Sequence, residues 1–268
     1  MRTWLTLAIG LVLIASQSAQ AFDNGHAAWD TLLKRHVSWL AGGHESRVDY
    51  DGFAREREAL ARYLDQLSAV GETEFKGWTK SEQLAFLINA YNAFTVELVL
   101  TRYPKLASIR DLGSTFSSPW KKRFFVLLGA RRSLDDLEHG LIRANGVYDD
   151  PRIHMAVNCA SIGCPALRPE AFVAGRLNAQ LDDQVLRFMG DRTRNRFDPD
   201  RRSLEVSRIF DWYHKDFEQG HRGIESVPRF LARYAAQLAD SAQDRQLVTQ
   251  GQASLRFLDY DWALNDRR

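Results

Sequence analysis

The sequence predicts an α+β fold, a helix-rich single domain in which short antiparallel strands and hairpins surround a buried central helix. Three observations predict it. Several segments place apolar residues three and four apart with charges between them, the period of an amphipathic helix. The segment from Leu84 to Leu100 is apolar on almost every side, which only a buried helix satisfies. Brief aromatic or β-branched runs stand beside turn residues, scattered among the helices with no internal repeat.

Each element follows from local residues. His26 to Leu40 and Phe53 to Val70 carry the helical period, the second ending at Gly71. Thr79 or Ser81 caps the central helix, which runs to about Arg102 because Pro104 cannot continue it. Arg123 to Leu128 and the following Gly129 read as a strand and tight turn; Ser133 then caps a helix to Ala144, with Asp136 three residues on. Arg152 to Val157 alternates like a strand, and the Gly- and Pro-punctuated stretch from Asn158 to Arg168 reads as a loop. A helix over Leu177 to Met189 precedes a hairpin from Arg196 to Val206, turned by Asp198-Pro199-Asp200. Helices over Ile209 to Phe217 and Val227 to Leu238 come next, and a last strand spans Leu255 to Tyr260.

Composition narrows the function classes. With 36 Lys and Arg against 34 Asp and Glu, the net charge of +2 provides no field to gather nucleic acid, so no nucleic-acid partner is expected. The Arg-rich run 192–202 is interleaved with Asp198 and Asp200 and reads as a solvated hairpin. A hydrophobic fraction of 45% with only 2 Cys excludes disorder and a disulfide-stapled miniprotein. Residues 1–21 have the layout of a signal peptide: Arg2, an apolar stretch from Trp4 to Ala15, and a small-x-small end at Ala19-Gln20-Ala21. Cleavage there leaves 22–268 as a single globular domain with no integral membrane segment, expected in the periplasm or secreted, where two thiols are free to pair.

Four places hold candidate chemistry. On the central helix Asn89 and Asn92 share a side between Ala85 and Val96, and amides so placed either tie neighbouring loops or point into a site. On the helix after Ser133, Glu138 falls at the edge of the apolar stripe made by Leu134, Leu137 and Leu141, beside the Asp135/His139 pair. It either bonds a neighbouring Arg or orients a histidine. In IFDWYHKDF, Asp216 shares a face with Ile209, Trp212 and Tyr213. The richest stretch is RIHMAVNCASIGCP, 152–165, which brings Cys159 within reach of His154 or His139. Its two cysteines have three readings: a Cys159–Cys164 disulfide, a thiolate nucleophile with a histidine base, or a zinc site. The wide Cys spacing and the lack of an H-x₃₋₅-H pair weigh against zinc, and no metal or other cofactor is expected, since no P-loop, dinucleotide or H-E-x-x-H fingerprint occurs.

FLINAYNAFT (86–95), LDDLEHGLIR (134–143), DPRIHMAVNCASIGCPAL (150–167), IFDWYHKDF (209–217) and YDWALN (260–265) stand in the order seen in the domain-of-unknown-function 547 family, which the chain resembles over about 78–265. The resemblance implies signature positions rather than a reaction: Asn89, Tyr91, Asn92, Glu138, His139, Arg143, His154, Cys159, Cys164, Pro165, Trp212, Tyr213, Asp216, Tyr260, Asp261, Trp262 and Asn265. Two functions are therefore expected. One is a thiol-dependent hydrolase or acyltransferase in which Cys159 attacks, His154 or His139 takes its proton and Glu138 or Asp216 fixes the imidazole; Asn89, Asn92, Tyr213, Asp216 and Cys164 then face the substrate. The other is a non-catalytic periplasmic domain binding a small molecule or cell-envelope ligand, with Cys159 and Cys164 paired.

Overall fold

The computed structural model describes residues 21–114 and 117–268. Apart from Ala21, the segment expected as a signal peptide lies outside the described residues. Helices α1 (Ala27–His36), α2 (Tyr50–Arg55), α3 (Arg57–Ala69) and α4 (Glu72–Gly77) pack before the central helix α5 (Lys80–Leu100). Thr79 and Glu82 close a reciprocal capping box at the start of α5. Its apolar girdle is buried throughout, as the pattern requires. Helix α5 is long and apolar enough to cross a membrane, and 94% of that stretch is buried inside the protein.

Several sequence expectations change. The first helix stops at His36, and Val37–Trp39 becomes β1, paired antiparallel with β2 (Ser46–Val48). The second is two helices meeting at Glu56, whose φ of −104° and ψ of 24° break the helix. Hairpin β3 (Phe125–Leu127) and β4 (Ala130–Arg132) turns on Leu128 and Gly129, both at positive φ, the geometry that matches strand twist. Helix α6 (Leu134–Leu137) passes into a wider π turn over Glu138–Ile142.

The strand expected over Arg152 to Val157 is instead a 3-10 helix, Pro151–Met155. Pro151 at its first position and the Asp150 carboxylate accepting from the Arg152 backbone N–H start the turn. Every residue from 151 to 158 is buried, so an alternating pattern reported no exposed face.

Beyond it run α7 (Leu177–Gly190), β5 (Arg196–Asp198), β6 (Ser203–Val206), α8 (Ile209–Trp212), α9 (Val227–Ala232), α10 (Ala235–Leu238), α11 (Ala242–Thr249) and β7 (Ser254–Phe257). A separate 3-10 turn, His214–Phe217, completes the stretch expected as one helix from Ile209. Strand β7 pairs parallel with β6, so the strands are not all antiparallel. The hydrophobic side chains form two clusters. Helix α5 dominates the first; β6 and α8 to α11 build the second. Helix α7 spans both, giving Leu177 and Leu181 to one and Val185, Phe188 and Met189 to the other.

Candidate functional site

Where the two clusters meet, a cavity of about 230 Å³ opens to the surface. Tyr91 comes to it from α5, Asp135 from α6 and Glu138 and His139 from the π turn; the 3-10 helix after Asp150 brings His154, and α8 and its end bring Trp212 and Tyr213. The loop after Val157 supplies Cys159, Cys164 and Pro165, the C-terminal tail supplies Tyr260 and Trp262, and Trp120 completes the rim.

The loop is held from two sides. Asn92 donates to the Ala156 carbonyl at 3.0 Å and accepts from the Asn158 backbone N–H at 2.8 Å, while Asn89 makes the same two-point clamp on Phe172 at 2.7 and 3.0 Å. Both amides are thereby committed to backbone, and neither lines the cavity, so the expectation that they face a substrate there is not met. On the other side Ile162 and Gly163 donate to the carbonyls of Ala263 and Asp261. At Gly163 a Cβ would sit 2.9 Å from the Tyr260 ring and 3.0 Å from the Asp261 carbonyl, so only glycine permits the tail to lie this close.

Cys159 and Cys164 are joined by a disulfide, and no free cysteine occurs among the described residues. Of the three readings of this pair, the structure adopts the first. In this state Cys159 has no thiol with which to attack and neither sulfur is a thiolate ligand; among the described residues no group of three His, Cys, Asp or Glu is placed to hold a metal. Cys164 Sγ accepts from the Cys159 backbone N–H at 2.9 Å and from the Tyr260 hydroxyl at 3.1 Å.

His154 is fully enclosed. Its Nε2 lies 2.8 Å from Asp216 Oδ2, and Asp216 also accepts from Arg143 Nε at 2.7 Å and Nη2 at 3.0 Å. Burial lowers the His154 pKa against the pull of that carboxylate, so the ring is neutral. Burial pushes the Asp216 carboxyl up, but hydrogen bonds from His154 and Arg143 outweigh it and hold the group well below the usual carboxylate range. An ionised Asp216 accepts the Nε2 proton, which leaves the lone pair on Nδ1. Tyr213 packs against the same imidazole, ring centres 4.1 Å apart.

Glu138 is buried beside the hydroxyls of Tyr91 and Tyr213. Burial first, and the Glu138 charge second, raise both phenols well above their ordinary pKa, so each stays a donor toward the carboxylate. Glu138 therefore serves two tyrosines and orients neither histidine, while Asp216 orients His154. His139 is half exposed, touching the Arg143 guanidinium and lying 3.7 Å from Asp135. Residue patterns alone missed Trp120, which carries no periodic signal, and the role of Arg143.

Residues 75–189 match the family described as Protein of unknown function, DUF547. The matched segment holds the first three motifs. Those at 209–217 and 260–265 fall outside it, although they supply Ile209, Trp212, Tyr213, Tyr260 and Trp262 to the cavity wall. No curated protein and no solved structure matches the chain.

Proposed function

We propose that the protein is a periplasmic or secreted ligand-binding domain whose Cys159–Cys164 disulfide pins the loop that forms one wall of the site. The observation that carries this reading is the cavity itself: aromatic side chains from four separate elements converge on it around a few buried polar groups, the usual build of a small-molecule site. Its volume suits a compact ligand. A thermal-shift screen of small metabolites and cell-wall fragments tests the reading, with Trp262→Ala as control. The expected hits raise the melting temperature of the wild type and not of the variant. Hits that stabilise both proteins equally, or a screen with none, remove it.

A second reading is favoured by the position of the sulfurs, which line the same cavity as His154. Once reduced, Cys159 becomes a nucleophile of a thiol-dependent hydrolase or acyltransferase, with His154 as base and Asp216 as its orienter. After mild reduction Cys159 is then alkylated by iodoacetamide faster than free cysteine, and hydrolysis of an activated ester disappears in Cys159→Ser. Alkylation no faster than free cysteine rules this reading out.

A further inference from the structure

We infer that the ligand of this cavity is a compact organic cation of the alkylammonium or quaternary ammonium class. The inference rests on the ligand-binding reading above and adds the sign and shape of the ligand.

The sign comes from the lining. Asp135 and Glu138 are its acids, and no Lys or Arg lines the cavity among the described residues. The neighbouring guanidinium, Arg143, is already neutralised by two hydrogen bonds to Asp216. His154 adds no charge, since burial keeps it neutral. An anionic ligand therefore meets Glu138 with no guanidinium or ammonium in the described lining to receive it, whereas a cation meets a carboxylate whose internal partners, the Tyr91 and Tyr213 hydroxyls, are neutral.

The shape comes from the rings. Trp262 lies 4.6 Å from Tyr260 and 5.7 Å from Trp212, Tyr260 lies 4.9 Å from Trp212, and Trp120 meets Trp262 at 5.9 Å. These four form a connected aromatic wall, and Trp212 is 43% exposed, a large apolar surface left open at the cavity. Aromatic faces attract a cation through their quadrupole, most strongly where water is excluded, and several of them around one carboxylate are the recognised means of holding an ammonium. The protein already uses these faces in this way: Arg110 lies over the Trp262 ring at 5.1 Å and Arg143 over Tyr213 at 4.7 Å. Arg110 is a competitor for Trp262, so Trp212, Tyr260 and the Glu138 carboxylate carry the ligand's charge. At about 230 Å³ the cavity is smaller than a drug-sized site, which limits the cation to a small one.

Titration of the disulfide-bonded chain with choline, its neutral isostere 3,3-dimethylbutan-1-ol and the anion 3,3-dimethylbutanoate, followed by tryptophan fluorescence, tests the inference. Choline is expected to saturate the signal and to bind at least about tenfold more tightly than the alcohol, with the anion weakest. Glu138→Gln is expected to weaken choline by about tenfold and leave the alcohol unchanged. Asp135→Asn, on the cavity's outer edge, gives a smaller loss of the same kind and serves if the buried substitution does not fold. Equal affinity for choline and the alcohol, or preference for the anion, overturns the cation while pocket binding stands. If none of the three saturates, the cation is overturned as well, and the thermal-shift screen decides the binding reading separately.

Discussion

Two buried histidines set how the protein responds to acid. His26 sits at the start of α1 with Nδ1 2.8 Å from the Tyr63 hydroxyl and Nε2 buried without a partner, and burial lowers its pKa from 6.5 to about 4. A folded-state value below the unfolded one means that the unfolded chain takes up the proton first. Stability is therefore full above pH 6.5 and falls as the pH drops toward 4, by a total on the order of 3 kcal/mol for this one group. His154 is shifted in the same direction and adds to the loss, and Asp216, held low by its partners, adds more only as the pH falls through the carboxylate range. Urea denaturation at pH 7 and pH 4.5 checks this with His26→Asn, which removes the titration and tolerates the left-handed φ of 53° at that position. The variant is expected to lose clearly less stability on acidification than the wild type; equal losses contradict the assignment. At the same scale, Asp216→Asn deprives both Arg143 and His154 of their anion and is expected to cost about 1–3 kcal/mol, read by the same denaturation at pH 7.

Among the elements, the loop 156–165 matters most to the site, and it is held by contacts far apart in the chain. Replacing Asn92 by Leu keeps the branching of the side chain but leaves the Ala156 carbonyl and the Asn158 N–H buried without partners, a loss of about 2–4 kcal/mol. Gly163→Ala acts differently: its methyl displaces the Tyr260 ring and the tail behind it, so ligand binding falls more than global stability, which calorimetric titration and thermal melting together resolve. Reduction of the disulfide releases a short loop and is expected to cost about 2 kcal/mol, measured as the shift in urea midpoint with and without reductant. These same elements show what was legible in the sequence. Central helix α5, α7 and the β5–β6 hairpin follow directly from period, caps and turn residues. The 3-10 helix bearing His154 does not, because a segment buried on all sides has no polar face to give away its period. The site was half visible. Glu138, His139, His154, Cys159, Cys164 and Tyr213 do meet at one cavity, but the partners of each were set by tertiary packing: Glu138 went to the tyrosines, Asp216 to His154, and the two asparagines to backbone. Helix α11 and the β1–β2 pair left too short a pattern to read.

At the scale of the molecule, the cavity lies on the seam between two hydrophobic clusters, so whatever couples the clusters also shapes the site. Tyr91 and Val157 belong to the first cluster; Ile209, Tyr213 and Tyr260 belong to or pack against the second. The seam is crossed by α7 and, beside it, by Arg152, whose side chain is 3% exposed and holds Asp150 at 2.5 Å, Asp182 at 2.6 Å and Asn178 at 2.8 Å. It thus fastens the 3-10 helix carrying His154 to the first turns of the helix that joins both clusters. Arg152→Leu removes the close cation and leaves the nearly buried Asp150 only the more distant Arg222, 3.8 Å away, with an expected cost of about 3 kcal/mol, the lower end for deleting one partner of an enclosed pair. The effect is not expected to be uniform, because the severed link lies at the seam. Of the described tryptophans, Trp120, Trp212 and Trp262 stand at the cavity and Trp29, Trp39 and Trp78 elsewhere, so the near-ultraviolet and fluorescence signals include a report from the seam, whereas far-ultraviolet dichroism is weighted toward the long helices α3, α5 and α7. In the wild type the two urea transitions are expected to coincide, as for a cooperative unit. In Arg152→Leu the aromatic signal is expected to change at lower urea than the helical one, since the seam opens before the helices melt. A variant that loses stability with the two transitions still superimposed shows instead that Arg152 does not carry the coupling between the clusters.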